Sequence, residues 1–446
     1  MRRSPLSLGV RSVRILVLGA VLGCAIASEL SAQLPRQERE RALKMLEQMR
    51  QDLHEYYYDS TFGGIDIDAR ARRADSLIRV APTMAHALGQ VAQYLADLKD
   101  SHTSFHPPRH VARLDFGFSW LIVGDSVFIS GVKKGSDAEA KGLKRGDLLL
   151  AFDKFRSTRQ SLRVIAYVYF ALSPRPTISL TVVSPGEQPR KLSIDAKITE
   201  GKRTIDYTNI DELSQIISDM EDASRKATNF YRTVGDSVLI WRMPRFSYAD
   251  EMAIDHMIDR AQRYRGVVLD LRDNPGGYIE TLRYLTGRFF DRDITMYTAK
   301  ERKKSTLIVA NAAKKPYLGK LVVLVNANSA SSSEMFSRTL QLQGRAPIVG
   351  DRSAGAVITA VSVGHVVGFE RVLQYGASMS VADVVMIDGQ RLENVGVMPD
   401  HRVLPTGSDL AARRDPQMAK ALELVGVNVT PEQAAQYNKV EPKQEN

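Results

Sequence analysis

The residues best placed to do chemistry are serines at the end of an apolar run. The apolar stretch 321–325 leads into a serine-rich turn at 329–333, and Glu334 opens a helical pattern. A nucleophile at a strand-to-helix turn points out of the sheet, and the first amides of the helix are free to bind an oxyanion. This layout predicts a serine hydrolase. The alternative is an ordinary helix cap, since Ser-x-x-Glu before an apolar run is also a capping box.

A second segment of interest ends in two glycines. Residues 267–277 read as a buried strand that finishes in Asn-Pro-Gly-Gly just before a helix. Glycines there let the backbone come close to a bound group with its amides exposed, which suits an anion or oxyanion. Taken alone, the segment is better interpreted as a plain tight turn.

Histidine supplies the base that a weakly nucleophilic serine hydroxyl needs near neutral pH. His102 directly follows Ser101 in an Asp-Ser-His-Thr segment. His102, His106 and His110 are also four residues apart, a spacing that on a helix would suit zinc. Because the proline pair 107–108 breaks such a helix, we expect no metal site. No nucleotide-binding fingerprint is present, so no cofactor is expected.

The N-terminal segment has the features of an export signal. Arginines precede an apolar run at 15–23, and small residues follow at 25–27, which predicts a signal peptide over residues 1–32. Cys24, the only cysteine, lies inside it, so disulfides and thiol chemistry are excluded from the mature chain. We expect a periplasmic or secreted protein with no transmembrane segment after signal removal. A lipid anchor on Cys24 is the alternative.

Composition and charge narrow the class of protein further. The chain has 446 residues, 44% of them hydrophobic and 25% charged, which predicts a globular protein of several domains. The formal charge of +10 becomes +7 without the four arginines and one glutamate of the signal. The densest basic run, 299–304, reads as a solvated loop. Nucleic acid is therefore not an expected partner.

The periodicity of the chain divides it into four parts after the signal. Residues 33–113 show helical spacing, whereas 114–200 consist of short β-branched runs. Residues 201–427 alternate strands and helices, which predicts an α/β core with a largely parallel sheet. The tail, 428–446, is polar and is expected to be disordered.

The β-rich part resembles a PDZ domain. Segment 131–147 matches that family's pattern of a strand, a short alanine-rich helix and then Gly-Leu-x-x-Gly-Asp. The resemblance implies a groove that takes an extended peptide end by strand addition, with Phe116, Gly117 and Phe118 in the loop that receives it. A module that only positions a lid is the alternative.

The whole mature chain resembles the carboxy-terminal processing (tail-specific) and tricorn-core serine peptidases. Three motifs carry this resemblance: Asp-Leu-Arg-x-Asn-Pro-Gly-Gly at 270–277, Asn-x-x-Ser-Ala-Ser-Ser-Ser-Glu at 326–334, and Gly-Arg-Ala at 344–346. The order of a helical region, a PDZ-like module and an α/β core is also similar. The resemblance implies a multi-domain α/β fold with a crotonase-like (ClpP-like) protease core, acting on peptide or unfolded protein substrates.

The same resemblance implies roles for particular residues. Ser331 is the implied nucleophile, with oxyanion amides from Ser332 and Gly276. Tail-specific proteases carry a catalytic lysine in the segment that matches 353–356, but this chain has Ala356 there.

The tricorn-like branch instead uses a Ser-His pair and a late glutamate. This pattern implies His102 as the base, with Ser101 and Glu393 orienting it. The rival hypothesis is a catalytically idle protein that binds peptides in the PDZ-like groove, and the missing lysine is its main support.

Overall fold

The structure is a computed structural model that describes residues 34–108, 112–200, 230–368 and 372–438. The predicted signal peptide, Cys24 and His110 lie outside these residues. Within them, no helix combines the length and apolar composition that crossing a membrane requires.

Three helices form the N-terminal region: α1 (Arg36–Tyr56), α2 (Ile67–Arg79) and α3 (Met84–Ala96). The side chains of Asp66 and Thr83 accept hydrogen bonds from the first turns of α2 and α3, so each helix begins at a capping residue. Their apolar faces do not form a separate core, because residues from a long β-hairpin of the core pack into the same cluster. The helical region is therefore anchored to the core.

A mostly antiparallel β module follows. The element after α3 is the short strand β1 (Ser104–His106), and the module itself contains strands β2 to β9. Their bounds are Ala112–Asp115, Phe118–Val123, Ser126–Val132, Leu148–Phe152, Phe155–Arg156, Thr177–Val183, Arg190–Asp195 and Lys197–Glu200. The main sheet has the order β3-β4-β5-β7-β8, so β3 is an edge strand.

Two helices lie in this module. Helix α4 (Asp137–Ala140) is a single turn, and α5 (Arg159–Tyr167) continues into a π-helical turn, Val168–Leu172. Leu162, Ile165 and Tyr169 of this continuous segment are buried and pack on the sheet, whereas Leu172 is buried in the cluster of the helical region. The opposite face of α5 does not pack on this sheet and can contact a neighbouring element or a ligand.

The core contains a six-stranded sheet in the order β10-β11-β12-β15-β16-β19. Its strands are Phe230–Val234, Val238–Arg242, Gly266–Asp270, Lys320–Val325, Ile348–Gly350 and His401–Arg402. All neighbouring pairs are parallel except β10 with β11. Helices α6 (Glu251–Ala261), α7 (Ile279–Gly287) and α8 (Ser332–Leu342) complete the predicted α/β pattern, so the predicted fold class is confirmed.

A second, antiparallel sheet was not predicted. It contains β13 (Ile294–Glu301), β14 (Ser305–Ala310), β17 (Ile358–Val367) and β18 (Leu373–Met386), and it also takes in β1. Residues 104–106 pair with 376–378 of β18, so the segment that follows His102 belongs to the core rather than to a separate N-terminal domain.

The prediction of a disordered tail is wrong for its first part. After α9 (Gly407–Ala411) and α10 (Pro416–Leu424), residues Pro431–Ala434 form α11 and Ala435–Asn438 a 3-10 turn. Ala434 is buried, and Asn438 Oδ1 accepts a hydrogen bond from Arg272 at 3.2 Å. The polar composition of the tail did not indicate these contacts. Two anchoring residues are enough to order a short segment, and they hardly change its average composition.

Candidate active site

The serine-rich turn lies where β15 passes into α8, at the carboxyl edge of the parallel sheet. Ser331 immediately precedes the helix and has φ 54° and ψ −117°, a conformation that side-chain-bearing residues rarely adopt. Strained serines at strand-to-helix turns are a recurring device for presenting a nucleophile. Ser332 is the first helical residue, so its N–H has no intrahelical acceptor.

The hydroxyl groups of the three neighbouring serines each donate a hydrogen bond to a backbone carbonyl. Ser329 Oγ donates to Leu271 O at 2.8 Å, and Ser332 Oγ donates to Gly277 O at 2.9 Å. Ser333 Oγ donates in the same way to the Asn274 carbonyl at 3.0 Å. These bonds build the turn, and they distinguish Ser331 from the other three serines.

The glycine turn predicted at 274–277 lies directly against the serine turn. The Asn274 carbonyl accepts from Ala330 N at 3.0 Å, and a Cβ added at Gly276 would lie 2.7 Å from that of Ser331. Only glycine permits this approach. The Gly276 N–H, however, donates to Asn274 Oδ1 at 2.8 Å. Among the described residues, no acceptor faces the Gly277 N–H, so Gly277 is better placed than Gly276 to supply an oxyanion amide.

Glu334 clamps the two sides of the site together. Its carboxylate is fully buried and accepts bonds from Ser331 N, Ser353 Oγ, Gly355 N and Ala356 N at 3.0, 2.5, 2.7 and 2.9 Å. Burial raises the pKa of Glu334, and these four hydrogen bonds oppose the rise. The glutamate that the sequence suggested as a helix cap therefore also holds the loop 353–356 against the nucleophile turn.

A relay of three side chains is formed by residues far apart in sequence. Glu393 Oε2 accepts from Ser101 Oγ at 2.9 Å, and Glu393 Oε1 accepts from Ser101 N at 2.7 Å. Ser101 Oγ lies 2.7 Å from His102 Nδ1. With the hydroxyl proton directed at the carboxylate, Ser101 Oγ accepts from Nδ1–H. His102 Nε2 is then the nitrogen with a free lone pair, as a general base requires.

Asp100 shapes the turn that carries the histidine, a role that was not predicted. Its Oδ1 accepts from His102 N at 2.9 Å and from Thr103 N at 2.6 Å, while Ser380 Oγ donates to the same oxygen at 2.9 Å. An aspartate that bonds the amides two and three residues ahead is a common turn former. The local sequence pattern Asp-x-His-Thr could have identified this turn-forming role of the aspartate.

The relay and the nucleophile turn converge on two consecutive residues. Ser331 N donates to Ala356 O at 2.9 Å, and Val357 N donates to Glu393 Oε2 at 2.8 Å. Since consecutive Cα atoms are about 3.8 Å apart, this segment places Glu393, and through it the Ser101–His102 pair, close to Ser331. The structure thus brings together the residues that the sequence had named separately.

Burial sets the protonation of the relay. It lowers the pKa of His102, an effect that Asp100 partly offsets and that the positive charge of Arg163 reinforces. Burial also raises the pKa of Glu393, against the hydrogen bonds from Val357 and Ser101. A lowered histidine pKa keeps the imidazole neutral at neutral pH, which is the form that can accept a proton.

The loop predicted to receive a peptide end lies next to the open edge strand β3. Phe116 is buried, and Gly117 has φ 72° with its N–H bonded to Asp115 Oδ1 at 2.9 Å. Phe118 begins β3, and Phe170 from the π-helical turn packs edge-on against Phe116 at 5.9 Å. The open edge permits strand addition, whereas one amide of the loop is already committed to Asp115.

Among the described residues, no group of three or more side chains is arranged to hold a metal ion. His102 lies in the turn before β1, and His106 is the last residue of β1.

Comparison with known proteins shows which peptidases the chain is similar to. The model for peptidase family S41 matches residues 237–403. The carboxyl-terminal-processing protease of Synechocystis sp. is 26% identical over 302 residues, which cover 65% of this chain and 63% of that relative. The enzyme of the same description from Picosynechococcus sp. is 26% identical over 371 residues, covering 79% and 82%.

Solved structures share the fold. Mature CPAF matches with a TM-score of 0.65 at 15% identity, covering 88% of this chain and 99% of that chain. Mature CPAF complexed with lactacystin matches with a TM-score of 0.62 at 16% identity, covering 84% and 95%. In sequence, residues 237–403 are similar to peptidase family S41, a family of serine-type peptidases, and a larger part of the chain is similar to carboxyl-terminal-processing proteases.

Proposed function

We propose that this protein is an exported serine endopeptidase that cleaves unfolded or C-terminal segments of proteins through an acyl-enzyme. The observation that carries the proposal is the convergence of the Glu393–Ser101–His102 relay and the Ser331 turn on residues 356 and 357. Export rests on the N-terminal segment of the sequence alone.

In the proposed first step, His102 Nε2 takes the proton of Ser331 Oγ as that oxygen attacks the peptide carbonyl. The amides of Ser332 and Gly277 hold the oxyanion, and Glu393 stabilises the imidazolium through Ser101. The imidazolium then gives its proton to the departing amine, which leaves an acyl-enzyme. A water molecule, deprotonated by His102, releases the acid product and regenerates the serine.

A fluorophosphonate probe tests this assignment directly. We expect mass spectrometry to locate the adduct on Ser331, because Ser329, Ser332 and Ser333 donate their hydroxyl protons to carbonyls. The Ser331→Ala variant serves as the matched control and should take up no label. A label on another serine, or none on a folded chain, would overturn the assignment and favour the idle peptide-binding protein.

A further inference from the structure

A cleft of about 990 Å³ opens between helices α3 and α5 and reaches the catalytic region. Ser101 of the relay and Gly355 of the clamped loop lie in its wall. A chain segment bound in this cleft would therefore run past the residues that support the base.

The two helices line the cleft with residues of different size and polarity. From α5, Gln160, Arg163 and Val164 face it, and Val164 is 64% exposed although it is apolar. From α3, the wall includes Ala85 and Gly89, and a Cβ added at Gly89 would meet no atom within 4 Å. The space beside α3 is therefore wide enough for the side chains of a bound peptide.

The positive charge of the cleft that is not paired with a carboxylate belongs to one arginine. Four arginines line it: Arg159, Arg163, Arg175 and Arg352. Three of them pair with aspartates outside the cleft: Arg159 with Asp351, Arg175 with Asp153 and Arg352 with Asp125, at 3.5, 3.8 and 3.8 Å. Arg163 is exposed and has no carboxylate partner within the described part of the chain. Among the residues that the structure describes, Asp100 is the one acidic side chain in the wall, and its Oδ1 already accepts three hydrogen bonds.

Arg163 lines the same cleft as Ser101 of the relay. Its positive charge also contributes to the lowered pKa of His102, after the larger effect of burial. A carboxylate bound by Arg163 would thus lie in the cleft that reaches the relay, and arginine is well suited to pair with a carboxylate through two parallel hydrogen bonds.

We propose that this cleft binds an acidic segment of the substrate and that Arg163 pairs with an aspartate or glutamate side chain of that segment. The arginine is a specificity-determining residue under this proposal. The proposal rests on the proposed peptidase function for its biological meaning, but binding can be measured without catalysis.

The test uses two matched peptides on the full chain carrying Ser331→Ala, which prevents turnover. Each has about 12 residues, enough to span roughly 40 Å when extended, with blocked termini and a fluorophore. One contains glutamates and the other glutamines at the same positions. By fluorescence anisotropy we expect the acidic peptide to bind about fivefold more tightly at low salt, and the difference to shrink at high salt.

Four further variants locate the effect. Arg163→Ala should remove the preference, and Arg163→Glu should favour a lysine-containing peptide instead. Arg156→Ala changes an exposed arginine of the same module that does not line the cleft, and it should keep the preference. Gly89→Phe should occupy part of the cleft beside α3 and weaken the binding of both peptides equally.

The results of the binding and labelling experiments test the acidic-segment proposal and the peptidase assignment independently. Equal affinity for the two peptides, no binding of either, or a preference that survives Arg163→Ala would overturn the acidic-segment proposal. A preference that appears only when the peptide has a free terminal carboxylate would overturn it as well. Failure of the fluorophosphonate to label Ser331 would overturn the peptidase assignment while the anisotropy result still decided the role of the cleft.

Discussion

Replacing Glu334 with glutamine should reduce catalysis far more than stability. Each oxygen of this buried carboxylate accepts two bonds: Oε1 from Ser353 Oγ and Gly355 N, and Oε2 from Ser331 N and Ala356 N. Glutamine has nearly the same shape but only one acceptor oxygen. Two of the four donors must therefore lose their acceptor in the Glu334→Gln variant.

The least costly arrangement turns the new amide group toward Ser353, whose hydroxyl can rotate to accept. The Gly355 N–H is then left unpaired, which costs about 1–3 kcal/mol, and the two bonds that remain lose about 1 kcal/mol each because they are no longer charge-assisted. The neutral amide avoids the cost of burying a charge, which offsets part of this loss. We expect a net loss of about 1–3 kcal/mol in the free energy of unfolding.

Turnover should fall at least about a hundredfold. The clamp holds Ser331 in a strained conformation beside the oxyanion amides, and a shift of about 1 Å at a catalytic group has an effect of that order. Wild type and variant are compared by peptide hydrolysis, by the rate of fluorophosphonate labelling and by urea unfolding.

Glu139→Gln is the matched control for this experiment. Glu139 also stands three residues after a capping serine, Ser136, but it is exposed and lies in the β module. Its replacement should change neither stability by more than about 0.5 kcal/mol nor turnover. If Glu334→Gln kept turnover within about threefold of wild type, the clamp would not position the nucleophile.

Three further predictions follow from the same contacts. Because burial lowers the pKa of His102, kcat/KM should stay high below the ordinary histidine pKa of about 6.5 and fall only at lower pH, and a limb at or above 6.5 would contradict this. Glu393→Gln should lower turnover yet leave Ser331 labelled, since the carboxylate acts through Ser101; equal steady-state rates would remove Glu393 from the site. Arg272→Met should lower the free energy of unfolding by about 3–5 kcal/mol in urea, because it leaves buried Asp270 and Asp415 without their shared partner, and a loss below about 1 kcal/mol would refute that role.

Local motifs made the catalytic candidates predictable. A strand, a turn and a helix start are each specified within a few residues, so the turn at 329–333 and the glycines at 276–277 could be identified from sequence alone. The choice between the two glycine amides could not, because it depends on where the Asn274 side chain points.

The antiparallel sheet escaped prediction because its longest strand lacks a polar face. Strand β18 is buried along most of its 14 residues, between the helical region and the core, so its sequence shows no alternation of period two. Its partner β17 is rich in valine, but Val361 and Val366 are exposed, so its apolar residues do not mark one buried face. Pairing between such strands is decided by tertiary packing rather than by local pattern.

The placement of His102 shows why the helical region is part of the enzyme rather than an appendage. The histidine follows α3 and precedes β1, whose three residues pair with β18. The same hairpin packs into the core of the three helices, and His365 Nε2 on β17 lies 2.7 Å from the buried Asp52 of α1. The proposed base, His102, and the proposed nucleophile, Ser331, are thus far apart in sequence, and the shared core of helices and hairpin fixes the position of His102 relative to the α/β core.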